Sequence, residues 1–280
     1  MTDAMPDATT DTPSLPVWHD RPLAGRVVVV TGVGPGLGRD TALACARAGA
    51  DVVLAARTVE RLDAIAGEIT DLGQVALPVA TDVTDLDQID ALVAAAVERF
   101  GRIDGLVNSA FRQPPFERLA DTPLEEWYTS LEMNCTTALK MSRAVLPTMV
   151  AQGSGAIVNV ATMSIRHNKP NLGAYSAAKS ALTSITRTMA KEHGPEGIRV
   201  NAVCPGFIFG DSVRWFLDTQ AQQKGTTYDD EYDAVASEIA LRFIPDSEQI
   251  ARPIVFLLSD GAAAITGASL DVNGGHVTTW

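Results

Sequence analysis

The stretch VVVVTGVGPGLG, from Val27 to Gly38, constrains this chain more than any other. Four valines in a row cannot sort onto alternate faces by polarity, so the run predicts a strand buried on both sides, as in a parallel sheet. Glycines at 32, 34, 36 and 38 follow. They permit positive φ angles and let backbone N–H groups approach an anion closely. The helix expected from about Leu37 points its positive end at the same place. The pattern is Thr31-Gly32-x-x-x-Gly36-x-Gly38, which differs from the Gly-x-Gly-x-x-Gly dinucleotide fingerprint. A strand before it and a helix after it favour a nucleotide phosphate site over a merely flexible loop.

Downstream, apolar strand runs alternate with helical patterns, which predicts an α/β fold: one doubly wound, Rossmann-type parallel sheet of about seven strands with helices on both faces. Strands are expected at 27–30, 51–55, 75–80, 105–108, 156–160, 199–203 and 269–272. Helices are expected at 36–48, 59–72, 86–100, 172–193 and, as one long stretch, 124–150. A chain of 280 residues fits one such domain. Residues 1–22, rich in Thr, Asp and Pro at their start, read as a disordered or loosely packed tail in which Trp18 could touch the domain at 23–280. The balance of 34 acidic against 22 basic residues, a formal charge of −12, opposes nucleic acid or an anionic membrane as partner. Cys45, Cys135 and Cys204 are widely spaced, without a Cys-x-x-Cys pair or a His at metal-ligand spacing. No metal is expected, and buried thiols in a reducing cytoplasm are.

Tyr175 and Lys179 are four residues apart, so on a helix they share one face and can serve one site. The Ala/Ser-rich run around them lets backbone pack closely, and they follow the fifth strand at the edge where open α/β sheets bind ligands. A phenol of ordinary pKa about 10 becomes a useful acid/base near neutrality if an ammonium favours its phenolate.

With these motifs in order, the chain from Leu23 to Gly275 resembles the short-chain dehydrogenase/reductase family. Asp82-Val83 after the third strand matches the adenine-holding position. Asn108-Ser109-Ala110 matches the family's Asn-Asn-Ala-Gly in part, with Phe111 where the glycine stands. Asn134 falls at the family's catalytic Asn, and Pro205-Gly206 at its nicotinamide-side loop. The resemblance implies hydride transfer between a nicotinamide cofactor and an alcohol or ketone carbon. In it Tyr175 is the acid/base, while Lys179 lowers the phenol's pKa and binds the ribose. A water near Asn134 completes a proton path. The family's third residue, a Ser thirteen positions before the Tyr, is Thr162 here, with Ser164 as second candidate. The threonine hydroxyl can donate as a serine does, but its methyl restricts χ1. Where relatives place a Thr on the nicotinamide carboxamide this chain has Gly210, so Ile208 backbone and Ser212 are the candidates for that contact. Thr31, Gly32, Gly36, Leu37, Gly38, Arg57, Asp82, Val83, Asn108, Ala110, Pro205, Gly206 and Ile208, with Tyr175 and Lys179, form the expected cofactor set.

The second strand ends Ala55-Ala56-Arg57, and an Arg there accommodates a 2′-phosphate where a carboxylate would accept from ribose hydroxyls. Asp51 stands at the wrong end of that strand. NADP(H) is therefore expected before NAD(H). Residues 207–250 read as a substrate loop, with Tyr232, Val235, Ile239 and Phe243 at helical spacing and Asp229, Asp230, Glu231, Asp233 and Glu238 facing water. With Phe111 and Phe209 near the nicotinamide, this segment predicts a small hydrophobic alcohol or ketone as substrate. Relatives suggest a homotetramer or homodimer built on helices 124–150 and 172–193. Two alternatives stay open: a dinucleotide-binding protein with weak catalysis, and an NAD(H)-dependent alcohol dehydrogenase.

Overall fold

The computed structural model describes residues 21–113 and 115–278. Trp18 and nearly all of the expected tail lie outside the described residues. Seven strands form one sheet in the order β3-β2-β1-β4-β5-β6-β7, every pairing parallel. They are β1 (Val27–Thr31), β2 (Asp51–Ala56), β3 (Ala76–Ala80), β4 (Gly105–Asn108), β5 (Gly155–Val160), β6 (Ile198–Pro205) and β7 (Ser269–Val272). The chain steps outward from β1 to β3, then crosses back to β4, so the ends of β1 and β4 flank a crevice at the switch in winding direction.

The valine run behaves as its composition dictates. Val28 and Val30 join the core on one face with Leu43 of α1 (Leu37–Arg47), Ile65 of α2 (Val59–Asp71) and Leu257 of α9 (Ser247–Leu258). Val27 and Val29 point the other way. They meet Leu92 of α3 (Leu86–Phe100), Val145 of α5 (Thr137–Gln152) and Met189 of α6 (Gly173–His193). Asp51 opens β2 at the edge remote from the crevice and accepts from the Val75 N–H at 2.8 Å.

The stretch expected as one helix over 124–150 is divided. α4 (Leu124–Leu131) gives way to a π-helical turn, Glu132–Thr136, before α5 resumes. One inserted residue shifts the hydrogen-bond ladder without ending the helix, so hydrophobic periodicity does not reveal it.

Between β6 and α9 lie α7 (Asp211–Lys224) and α8 (Tyr228–Glu238). Here two expectations are corrected. The second helix ends at Glu238, with Ile239 extended, so Phe243 is not on it; Arg242, at φ 60°, turns the chain instead. Glu231 does not face water. It is 6 % exposed and accepts from Lys224 at 2.6 Å and Thr226 at 2.7 Å. The apolar residues pack on one another: Leu217, Ile239 and Ile244 are buried, with Phe207, Phe209, Phe216 and Tyr232 against them.

Candidate active site

A cavity of about 510 Å³ opens along the carboxyl ends of β1, β2, β4, β5 and β6. Its floor is the glycine turn. Gly32 has φ 70°, and a Cβ there would lie 2.5 Å from the Ala110 backbone. A Cβ on Gly38 would lie 2.2 Å from the Gly32 oxygen. These two glycines let β1, the start of α1 and the end of β4 meet at backbone contact. Gly36, at φ 87°, precedes α1 without any side chain capping it, which leaves the leading N–H groups of the helix for an anion. Thr31 ties the strand ends together: its hydroxyl donates to the Val107 oxygen and accepts from the Ser109 N–H, both at 3.3 Å.

At one end of the cavity stand Arg57, Arg61, Asp82 and Val83. Asp82 accepts from the Thr84 N–H at 2.9 Å and its hydroxyl at 2.8 Å. Those bonds, with Arg57 and Lys140 nearby, hold its carboxyl below the usual range. Arg61, which the sequence reading did not single out, lies one helical turn beyond Arg57, and neither guanidinium is engaged in an ion pair among the described residues.

At the other end, Thr162, Tyr175, Lys179, Pro205, Gly206, Ile208 and Ala110 line the wall, joined by Phe111 and Met133. Leu37 lines the cavity too. Lys179 is 3 % exposed and donates to the Val160 oxygen at 2.7 Å. Burial pushes its ammonium down to about 8. Burial pushes the Tyr175 phenol up to about 12, against the Thr162 hydroxyl, which hydrogen-bonds it and favours the ionised form. The expected lowering of this phenol by Lys179 is not what this geometry gives: loss of hydration dominates, and the ammonium is engaged with the end of β5.

Asn108 and Asn134 stand behind the wall rather than on it. Asn108 is 4 % exposed and donates to Asn159 at 2.9 Å, Ser142 at 3.2 Å and the Ala138 oxygen at 3.3 Å, fastening β4 to β5 and α5. Asn134 sits in the π-helical turn and grips the Arg112 backbone from both sides: its Nδ2 donates to the Arg112 oxygen at 2.9 Å, and its Oδ1 accepts from the Arg112 N–H at 3.2 Å. Arg112 in turn pairs with Glu126 at 2.7 Å. Phe111, in the place of the glycine, is thereby held at the cavity and is 59 % exposed. Phe209 differs from expectation: it packs edge-on against Tyr232 at 5.8 Å, under the Arg214 guanidinium at 4.4 Å, in the core of the 207–250 segment. Gly210 and Ser212 begin α7 and do not line the cavity.

All three thiols are buried, Cys45 and Cys204 being pushed up to about 12 and about 11 by loss of hydration, so none is nucleophilic. Among the described residues no helix is long and apolar enough to cross a membrane.

Comparison with known proteins agrees with this architecture. A family model described as enoyl-(acyl carrier protein) reductase matches residues 32–277. The short chain dehydrogenase/reductase astE of Aspergillus oryzae is 35 % identical over 90 % of this chain and 95 % of its own. The 3-oxoacyl-[acyl-carrier-protein] reductase FabG of Pseudomonas aeruginosa is 32 % identical over 90 % and 98 %, and L-xylulose reductase of Mus musculus 35 % over 93 % and 100 %. A crystal structure of NAD+-bound xylitol dehydrogenase superposes with a TM-score of 0.84 at 30 % identity, covering 90 % of this chain and 99 % of that one. With a seven-stranded parallel sheet, a glycine cradle and a Tyr-Lys pair in one cavity, this chain belongs to the short-chain dehydrogenase/reductase family, NAD(P)-dependent oxidoreductases acting on CH–OH and C=O groups.

Proposed function

We propose that this oxidoreductase transfers a hydride between NADP(H) and a hydrophobic secondary alcohol or its ketone. The observation that carries the reading is the pair of unengaged guanidiniums, Arg57 and Arg61, at one end of a cavity whose other end holds Tyr175, Thr162 and Lys179. Arg57 and Arg61 would hold a 2′-phosphate by charge-assisted hydrogen bonds. The glycine turn and the uncapped start of α1 take the pyrophosphate. Bound in this way, the nicotinamide supplies or accepts the hydride.

The chain's own residues handle the proton. The Tyr175 hydroxyl, held protonated at neutral pH by its burial, donates to a carbonyl oxygen as it gains charge. Thr162 adds a second hydrogen bond to that oxygen. Lys179, fixed at the end of β5, is placed to hold the nicotinamide ribose. Asn134 fixes the loop carrying Phe111 through its two bonds to the Arg112 backbone. The four-residue spacing of Tyr175 and Lys179 favours a carbonyl over the carbon–carbon double bond of an enoyl substrate, because the enoyl branch of the family spaces that pair more widely.

The substrate class rests on what surrounds Tyr175. Phe111, Met133 and Ile208 line the cavity there. The cations of the 207–250 segment are engaged elsewhere: Arg214 on Phe209, Lys224 with Glu231, Arg242 on the Ser237 oxygen. That segment is the substrate loop in this reading, and 23–280 is the whole catalytic domain. Solvent-exposed apolar side chains on α4 and small residues along α6 support a homotetramer or homodimer, and buried thiols suit the cytoplasm. Steady-state kcat/KM over matched ketones and alcohols, with NADPH and NADH in turn, tests the assignment. Bulky apolar ketones with NADPH should lead, and preference for small charged keto acids or for NADH overturns the corresponding half of it.

A further inference from the structure

Beyond the end of β4 the chain runs along the glycine turn at backbone contact: a Cβ on Gly32 would lie 2.5 Å from both the N and the Cα of Ala110. One Cα step of about 3.8 Å further on stands Phe111, where the family's motif has a glycine. Its side chain lines the cavity and is 59 % exposed. Among the described residues it joins no buried cluster and no ring pair. Phe116 and Leu119, later in the same loop, are also exposed but do not line this cavity. A phenyl ring open to a ligand cavity gains from burial when the cavity fills.

The backbone that carries the ring is braced from two directions. Asn134, 1 % exposed, accepts from the Arg112 N–H at 3.2 Å and donates to the Arg112 oxygen at 2.9 Å. The Arg112 guanidinium grips both oxygens of Glu126 on α4, at 2.7 and 3.2 Å. A side chain mounted on so fixed a backbone loses little further entropy when it meets a ligand. We infer that Phe111 is a cofactor-retaining residue: its ring covers the dinucleotide where this leaves the glycine turn toward Tyr175, and slows its release. A glycine in that place offers no such cover. Met133 and Ile208 are left to face substrate. Arg112 and Glu126 do not line the cavity, and act through the ring by fixing where it stands.

This rests on the reading of the cavity as a dinucleotide site, but not on which dinucleotide, since NADPH and NADH share all but the 2′-phosphate. Dissociation of each from the full chain is followed by stopped-flow nicotinamide fluorescence for wild type, Phe111→Ala, Glu126→Gln and the double variant. Phe111→Ala should raise both dissociation rates by about tenfold or more, with association rates within about threefold. Phe111→Leu, which restores apolar bulk, should recover most of the loss. Glu126→Gln should raise the rates about threefold in the wild-type background and by nothing further beside Phe111→Ala. Phe111→Gly, the family's residue, carries the test if the alanine variant does not fold. Unchanged dissociation rates in the variants that remove the ring, or an equal effect of Glu126→Gln in both backgrounds, overturn the inference. So does a loss confined to KM for the ketone, which gives the ring to the substrate instead. A wild type that binds neither cofactor removes the dinucleotide reading itself.

Discussion

Lys179 reaches past its helical neighbour Tyr175 and donates to the main-chain oxygen of Val160 at 2.7 Å. The ammonium is thereby fixed at the carboxyl edge of β5, buried to 3 % exposure, with its affinity for a proton lowered to about 8. A charge in that place costs folding free energy below pH 8 and serves the reaction only when an anionic or polar partner arrives.

A pH dependence of stability follows. The folded value of Lys179, about 8, lies below the ordinary 10.5, so between them the unfolded chain binds more protons and stability rises with pH. Cys45, Cys135 and Cys204 work in the opposite sense above their ordinary value of 9.0, and Tyr175 does so above 10.0, because their folded values are raised. The Lys179 contribution is therefore cleanest between about pH 8 and 9. Thermal unfolding of wild type against Lys179→Met, without cofactor, should show Tm climbing with pH relative to the variant across that window. A constant difference would contradict it.

Tyr175→Phe removes the proton donor while keeping the ring in its packed place on α6. Turnover should fall by ~10²–10⁴-fold. The dissociation constant for NADPH, read from its fluorescence, should move by no more than about twofold, because the phosphate and adenine contacts are untouched.

Arg57→Ala and Arg61→Ala should each weaken NADPH by about tenfold or more, the value of one charge-assisted contact. NADH should be affected by less than about threefold, since it has no phosphate at this end. The ratio of kcat/KM for the two cofactors measures this directly. Equal losses for both would assign the arginines to another part of the ligand.

Gly38→Ala forces a methyl to within 2.2 Å of the Gly32 oxygen, an atom of backbone that cannot swing aside. The turn must open. Stability should drop by about 1–3 kcal/mol, lowering Tm by several degrees, and NADPH binding should fall with it. Gly34→Ala is the control, since the nearest atom to its added Cβ is the Arg61 guanidinium tip at 3.8 Å.

Self-association through the paired helices should be measurable. Leu124, Tyr128 and Leu131 on α4 are 65 %, 67 % and 44 % exposed, and Ala177, Ser180 and Ser184 leave the outer face of α6 shallow enough for close approach. Sedimentation at micromolar concentration should show dimers or tetramers, and Ser180→Arg should shift them toward monomer. Only a 29.6 kDa species in the wild type would refute the arrangement.

Much of this was legible in the sequence because the features obey strong local rules. A run of valines has one comfortable environment, four glycines at alternate positions have few uses, and a Tyr and a Lys four apart on a helix share a face. What stayed hidden depends on details that periodicity averages away. The π-helical turn at Glu132–Thr136 inserts a single residue, so helical periodicity puts Asn134 on a helix without showing its grip on Arg112. Arg61 carried a readable signal, since it lies four residues from Arg57 at the start of α2. So did α9, whose start has Asp246 and Gln249 in a reciprocal capping box. Between 207 and 250 the aromatics were read as a pocket lining, yet pairwise contacts such as Phe207 with Phe216 at 6.0 Å cannot be told from composition.

Those contacts give the 207–250 segment a nucleus of its own, with Glu231 locked to Lys224 and Thr226 inside it. Leu241, donating to the Gly274 oxygen at 3.0 Å, and Phe207, packed on His276, tie that nucleus to the chain just beyond β7. If the proposed role of this segment as substrate loop holds, reshaping its apolar nucleus should retarget the enzyme while the dinucleotide cradle keeps its geometry.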